Sequence, residues 1–342
     1  MFTQFIKSIS RGASVIALST TLLAGATLAT SPAALAADTS GKTQHPVVLV
    51  HGLVGFDNIL VDYFYGVKNT LASVGATDVY TPTLSAVNNS EVRGEQLLTY
   101  LEDLQAVTGA SKFNLIGHSQ GGIDSRYVAA VRPDLVASVT SVGSPHFGSD
   151  TADFIKNSPL EGLTVQIGDA IGSFIAFLGG DASMQQSAVG AIESLNSEGA
   201  ARFNAKYPQG LRKGSCKNTP LKNIGPWYWP NWVWDYSVND GDHVVNGVKY
   251  YSWAGTYNFV TNSNPLDPGD YAMGITTLTF GFEDNDGVVG RCSTHLGKVI
   301  RDDYTMNHID EVNHVFGLEG LFVTDPLPLY REHVRRLKAA GL

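Results

Sequence analysis

The stretch "KFNLIGHSQGGIDSRYVAAV", residues 112–131, decides the fold. Its opening is short and apolar, like a buried strand, and its close reads as the first turns of a helix. Between them lies Ser119, with Gly117 and Gly121 two residues away on either side. A strand that turns sharply into a helix strains the residue at the turn. A Cβ on either flank would collide with the chain, so glycine is required at both. The strain lifts the Ser119 hydroxyl above the sheet edge. The following helix aims its free N–H groups and its positive end at the same point. G-x-S-x-G in this setting is a nucleophile elbow, with Ser119 as the nucleophile.

Working outward, "HPVVLVHGLVGFDN" supplies an apolar run, 47–50, that ends in His51 and Gly52 and fits a buried parallel strand. "GEQLLTYLEDLQAVTG" carries Leu97, Leu98, Leu101 and Leu104 as a helical stripe, with Gly109 as its cap. "VASVTSVGSP" reads as the next strand, and "VVNGVKYYSWAG" as a β-hairpin turning at Asn246-Gly247. "TTLTFG" reads as a late strand, and "REHVRRLKAAGL" as a closing amphipathic helix with His333 on its surface. Alternating strands and helices around an elbow predict an α/β-hydrolase fold: a mostly parallel, doubly wound sheet with a small β-hairpin insertion.

At 342 residues, 43% hydrophobic, the chain is long enough for one large α/β domain, and its net charge of −9 argues against a nucleic-acid partner. The N-terminus reads differently. Lys7 and Arg11 are followed by an uncharged, apolar run and by small residues ending in Ala-x-Ala near Ala36. That is the pattern of a secretory signal, so residues 1–36 are read as a leader and 37–342 as a single exported domain without a membrane anchor. In an exported chain the only two cysteines, Cys216 and Cys292, are most simply one disulfide. The separation is 292 − 216 = 76 residues. Such a closure stabilises by on the order of 4 kcal/mol in the chain-entropy model.

A serine hydroxyl needs a base, and the base an orienting acid, in the chain order Ser, Asp, His. Two "NDG" turns compete for the acid. Asp286 is preferred to Asp240 because it follows "TTLTFG" and precedes Cys292. The base is left between His308 and His314 by position alone. "HGLVG", 51–55, suits an oxyanion loop with one donor from the Leu53 N–H, the other coming from the Gln120 N–H. A mobile lid is expected at 162–178, where Leu163, Ile167, Ile171, Phe174 and Leu178 share a helical face and Gly168 and Gly172 weaken it. With its flanks the lid region runs from about 152 to 190.

The segments "VVLVHGLVGFDN", "SEVRGEQLL", "NLIGHSQGG", "SVGSPHFGSDTADF", "ESLNSEGAARFNAKYPQG" and "NDGVVGRCSTHLGKVIRDDYTMNHIDEVN" resemble the secreted lipases of the Pseudomonas–Burkholderia group over nearly the whole mature chain. The resemblance implies hydrolysis of triacylglycerol at an oil–water interface, a helical lid, one structural calcium ion and a dedicated membrane-anchored foldase in the periplasm. By motif it implies Ser119 as nucleophile, Asp286 as acid and His308 as base. Leu53 and Gln120 match the oxyanion donors, and Cys216 with Cys292 the family disulfide. The calcium carboxylates fall on Asp267 and Asp310, with main-chain carbonyls at His314 and Leu318. Two departures stand out: His314 replaces the usual glutamine, and the aromatic insert 225–237 carries Trp227, Trp229, Trp232 and Trp234.

Overall fold

The computed structural model describes residues 37–53, 57–58, 61–157, 186–214, 216, 218–223, 232–236, 240–314, 316–320 and 322–342. These belong to a compact unit spanning Ala37–Leu342. The leader, the lid helix expected at 162–178, and Trp227 and Trp229 lie outside the described residues.

In chain order the described elements begin with Val47–Val50 (β1), Asp57–Asn58 (β2), Val61–Asp62 (β3), Val67–Ala72 (α1) and Val79–Tyr80 (β4). Ser90–Thr108 (α2), Phe113–His118 (β5), Gln120–Val131 (α3), Val136–Val142 (β6) and Asp150–Asn157 (α4) follow. Then come Ala188–Leu195 (α5), Ser197–Lys206 (α6), Asn218–Asn223 (β7), Trp232–Tyr236 (β8), Val244–Val245 (β9) and Val248–Thr256 (β10). Phe259–Asn262 (α7), Pro268–Thr276 (α8), Lys298–Thr305 (β11) and Pro326–Ala339 (α9) complete the series.

The main sheet runs β11-β10-β6-β5-β1-β4, every pair along that path parallel, with β9 added antiparallel to β10. The chain leaves β1 toward β4 on one side and returns to β5 on the other. The two strands flanking this reversal, β1 and β5, end side by side, with Val50 opposite Gly117. The reversal is the topological switch point, where open α/β sheets hold their ligands. His51 and Ser119 follow immediately.

Burial on both faces explains the near-continuous apolar strands. Val48, Val50, Leu115 and Val139 pack with Leu97, Leu101 and Val128 of α2 and α3. The alternate residues Val47, Leu49, Ile116 and Val142 pack on the other face with Leu71, Tyr330 and Val334 of α1 and α9. The α2 stripe is as expected, and Gly109 closes the helix in the left-handed conformation, φ 69°. The Asn246-Gly247 turn joins β9 to β10 with both residues at positive φ, the hairpin the sequence calls for. β8, in the aromatic insert, pairs antiparallel with β7 as a separate two-stranded sheet. Among the described residues no helix is long and apolar enough to cross a membrane.

Two expectations are overturned. "TTLTFG" is not a strand: α8 runs into a 3-10 turn at Thr277–Phe280. The helix is started by Asp267, whose side chain caps the Gly269 N–H, and its threonines spend their hydroxyls on preceding carbonyls. Thr276 bonds to Met273, Thr277 to Gly274 and Thr279 to Thr276. Back-bonding of this kind lets β-branched residues sit in helical turns despite their strand preference. His333 is not on the surface. It lies on the buried side of α9 with Tyr330, Val334 and Leu337, bonded to Thr140 Oγ1 at 2.7 Å.

Candidate active site

Ser119 follows β5 directly and caps α3 with φ 54° and ψ −129°, a combination costly for any residue with a side chain. Its neighbours enforce that geometry. A Cβ on Gly117 would collide with the Gly121 carbonyl, and one on Gly121 with the Val50 carbonyl. The Ser119 main chain is anchored to Val142 of β6, its N–H donating to that carbonyl at 2.9 Å.

Gly52, from the loop expected to serve the oxyanion, lies against the elbow. A Cβ on Gly52 would sit 2.5 Å from Ser119 Cβ and 2.9 Å from the Tyr63 hydroxyl, so only glycine allows this close approach. Gln120, the first residue of α3, is fully buried, its side chain donating to the Asn88 carbonyl and to Ser90 Oγ. That fixes the start of the helix whose free N–H groups face the turn. Behind the loop, buried Arg93 donates from Nη2 to the His51 carbonyl at 2.6 Å while its Nε pairs with Asp124 Oδ2 at 2.8 Å. Sequence reasoning missed Arg93. The signal was present: it occupies the core stripe of α2 four residues before Leu97, a place where a charge needs a purpose.

Asp286 and His308 meet. His308 Nδ1 lies 2.7 Å from Asp286 Oδ2, both residues buried, and the His308 N–H donates to the Asp286 carbonyl at 2.8 Å. Asp286 Oδ1 accepts from the N–H groups of Val288 and Val289 at 2.8 and 2.7 Å, so the carboxylate is held by its own turn. An aspartate is acceptor-only when ionised, so Nδ1 carries the imidazole proton and leaves Nε2 as the basic nitrogen. Asp240, the alternative acid, instead accepts from the Val299 N–H of β11 at 3.1 Å. His308 reaches the elbow through its main chain: its carbonyl lies 2.8 Å from His118 Nε2, and the two rings are 4.5 Å apart.

A second acid stands beside the pair. Glu311 is buried, takes the Gly255 N–H on Oε1 at 2.6 Å, and presents Oε2 3.3 Å from His118 Nε2. Burial, then the nearby Asp286 charge, pushes its carboxyl well above the ordinary range. His118, His308 and Glu311 place ligand atoms within metal-binding reach, but His118 Nε2 is already committed to the His308 carbonyl.

The second cluster fits a cation better. Asp267, Asp270 and Asp310 are buried, with ligand oxygens within 4.8 Å of one another. Asp310 Oδ1 has no hydrogen-bond partner among the described residues. Burial first, and then the charges of Asp270 and Asp267, push the Asp310 carboxyl up to about 8. Three clustered carboxylates are a hard oxygen donor set, suited to a hard cation rather than to a soft metal. Asp270 was not anticipated, although it falls three residues after Asp267 in the first turn of α8. The His314 imidazole, from the position where a carbonyl ligand is expected, does not join the carboxylate cluster. Burial pulls it down to about 4. Leu318 lies on the exposed stretch that follows. Cys216 and Cys292 form the expected disulfide, with Cα atoms 5.5 Å apart.

Comparison with known proteins agrees with this geometry. Residues 45–253 match the model of the alpha/beta hydrolase fold family. A triacylglycerol lipase of Vibrio cholerae is 47% identical, the match covering 92% of this chain and 94% of that one. Triacylglycerol lipases of Pseudomonas fragi and Burkholderia plantarii are 40% and 39% identical, over 89% and 93% of this chain and 100% and 93% of theirs. Among solved structures, the mature Bacillus licheniformis lipase BlEst2 superposes with a TM-score of 0.55 at 19% identity, covering 85% of this chain and 91% of that one. The Staphylococcus hyicus lipase gives 0.52 at 16% identity over 87% and 98%, a likeness of fold. A strained serine at a sheet's switch point, a buried histidine–aspartate pair beside it and full-length similarity to these enzymes place the chain in the alpha/beta hydrolase fold family, in the branch of these bacterial lipases.

Proposed function

We propose that this chain is a secreted triacylglycerol lipase that works through an acyl-enzyme on Ser119. Ser119 Oγ attacks the ester carbonyl and gives its proton to His308 Nε2. Asp286, on Nδ1, holds the ring and stabilises the imidazolium. The Leu53 and Gln120 N–H groups take the oxyanion, each donor contributing about 3 kcal/mol to the transition state. The intermediate collapses, the glyceride oxygen leaves with the His308 proton, and water repeats the sequence to release the fatty acid. The observation that carries the reading is the 2.7 Å His308–Asp286 pair next to a serine held at φ 54°.

Asp267 and Asp310 would hold a calcium ion, with Asp270 beside them and main-chain carbonyls of His314 and Leu318 to complete the shell. When bound, the ion neutralises the carboxylates and ties down the loop that carries His308. Asn307 already links the two: its N–H donates to Asp310 Oδ2 at 3.0 Å, and its Nδ2 to Asp270 Oδ1 at 2.5 Å. The residues 1–36 are proposed as a secretory leader, and a periplasmic foldase as the maturation partner.

The test is hydrolysis of a triglyceride chain-length series, with and without calcium, beside dissolved short esters. The expected result is turnover of emulsified long-chain triglycerides that disappears in Ser119→Ala. Activity confined to dissolved short esters would make the chain an esterase instead.

A further inference from the structure

The elbow histidine has no part in the reaction above, yet it is fully buried between the two loops that must meet at Ser119. His118 Nδ1 lies 2.7 Å from the Tyr63 hydroxyl, and His118 Nε2 lies 2.8 Å from the His308 carbonyl. A carbonyl can only accept, so Nε2 carries the proton. Nδ1 must then accept, and Tyr63 O–H donates to it. On the far side the phenolic oxygen meets the Gly52 main chain in a hydrogen bond, which works against the rise that burial imposes on the phenol. Burial, with the neighbouring His308, holds the His118 imidazole neutral, well below its ordinary value. The hydrogen bonds therefore run in one direction: Gly52 N–H to Tyr63, Tyr63 O–H to His118, His118 N–H to the His308 carbonyl. Glu311 Oε2, 3.3 Å from the same nitrogen, backs the last link.

We propose that Tyr63 and His118 are positioning residues that tie the Gly52 oxyanion loop to His308 through this chain, so that the oxyanion donors and the base reach Ser119 in one register. The inference rests on the lipase reading of Ser119, His308 and Leu53. It adds that two side chains touching neither substrate nor reacting atoms set the catalytic geometry. The two loops are more than 200 residues apart in sequence. Small misplacements of reacting groups cost rate steeply, about a hundredfold for 1 Å.

The experiment is steady-state kinetics on a dissolved ester below its solubility limit, with Tyr63→Phe, His118→Asn, His118→Gln and the double variant Tyr63→Phe/His118→Asn. Tyr63→Phe keeps the ring and removes the donor. Asn can accept from Tyr63 but cannot reach the His308 carbonyl, whereas the longer Gln can donate its amide N–H to that carbonyl and turn its amide oxygen to the Tyr63 hydroxyl, keeping both links. The expected result is a fall in kcat of roughly 10- to 100-fold for Tyr63→Phe and His118→Asn, with KM within about twofold. His118→Gln should recover most of kcat, and the double variant should be no worse than the poorer single one, because both break the same chain. Wild-type kcat in Tyr63→Phe, losses that multiply in the double variant, or Gln no better than Asn would each overturn the proposal. Ser119→Ala and His308→Ala run alongside. If they keep turnover, the lipase reading fails; if they lose it while Tyr63→Phe does not, only the coupling fails.

Discussion

The elbow and the acid–base segment meet at one point but are built by opposite means. At Ser119 the geometry is local and steric. Three glycines, Gly52, Gly117 and Gly121, stand where a Cβ would strike neighbouring atoms, and a sheet strand ends directly beneath. At Asp286 and His308 no regular element sets the geometry. Both sit in turns, held by main-chain hydrogen bonds, by Asn307 and by a carboxylate cluster two residues beyond the base. The first region is held by close packing and by neutral or paired groups, Arg93 with Asp124 among them. The second gathers buried negative charge that folding alone leaves uncompensated. The elbow should therefore be indifferent to cations, and the acid–base segment should depend on them.

The largest effect is expected at the elbow. Ser119→Ala removes the attacking hydroxyl and should lower kcat by roughly a millionfold while the fold stays intact. Asp286→Asn comes next, at about ten-thousandfold, because the amide can donate to His308 Nδ1 and so favour the wrong tautomer. The two losses should not multiply, since the residues act as one unit. A purified, folded Ser119→Ala protein with near-normal turnover would end the elbow's claim to the chemistry.

Removing calcium separates the two regions most directly. An ion bound only by the folded state, present at a hundred times its Kd, stabilises by about 2.7 kcal/mol, worth roughly 4 °C in Tm for a domain of about 300 residues. Chelation should lower Tm by that amount and activity as a consequence. Asp310→Ala should melt like the chelated protein. Ser119→Ala should show the full calcium shift, because its serine plays no part in holding the ion. Equal Tm in excess chelator and in millimolar calcium would show that the acid–base segment stands without help.

The same contrast explains what could be read from the sequence. The elbow, β1, α2 and the Asn246-Gly247 hairpin are legible because their determinants lie within a few residues: glycine spacing, apolar periodicity, turn chemistry. Asp286 was preferred for a strand that does not exist. Its true support is its own turn and the His308 main chain, 22 residues away. Arg93, His118, Tyr63 and Asp270 were passed over because each acts through a partner distant in sequence. A charge in an apolar helical stripe, or a histidine inside a glycine turn, signals only that some partner exists. The lipase resemblance points to His308 rather than His314, a choice that position alone leaves open.

The mildest prediction tests the scaffold both regions share. His333 sits between α9 and β6, facing Thr140, the rings of Tyr251 and Trp253, and the Arg336 guanidinium. Burial first, and then Arg336, pulls its imidazole down to about 3. In the unfolded chain it titrates near the ordinary value of about 6.5. Between those values the unfolded state binds a proton that the folded state refuses, so this residue makes stability fall as pH falls. Its contribution is fully present above about 6.5 and is lost as pH drops through about 3. His333→Gln keeps a hydrogen-bonding partner for the Thr140 hydroxyl and cannot titrate. Its Tm at pH 7 should lie within a few degrees of the parent's, and its fall in Tm from pH 7 to pH 4.5 should be shallower by a few degrees. Activity at pH 7 should hardly change, since α9 lies behind the sheet rather than at its active edge. Parallel melting curves for the two proteins across that range would mean that His333 takes up its proton inside the fold, and that α9 is packed more loosely against β6 than its buried face indicates.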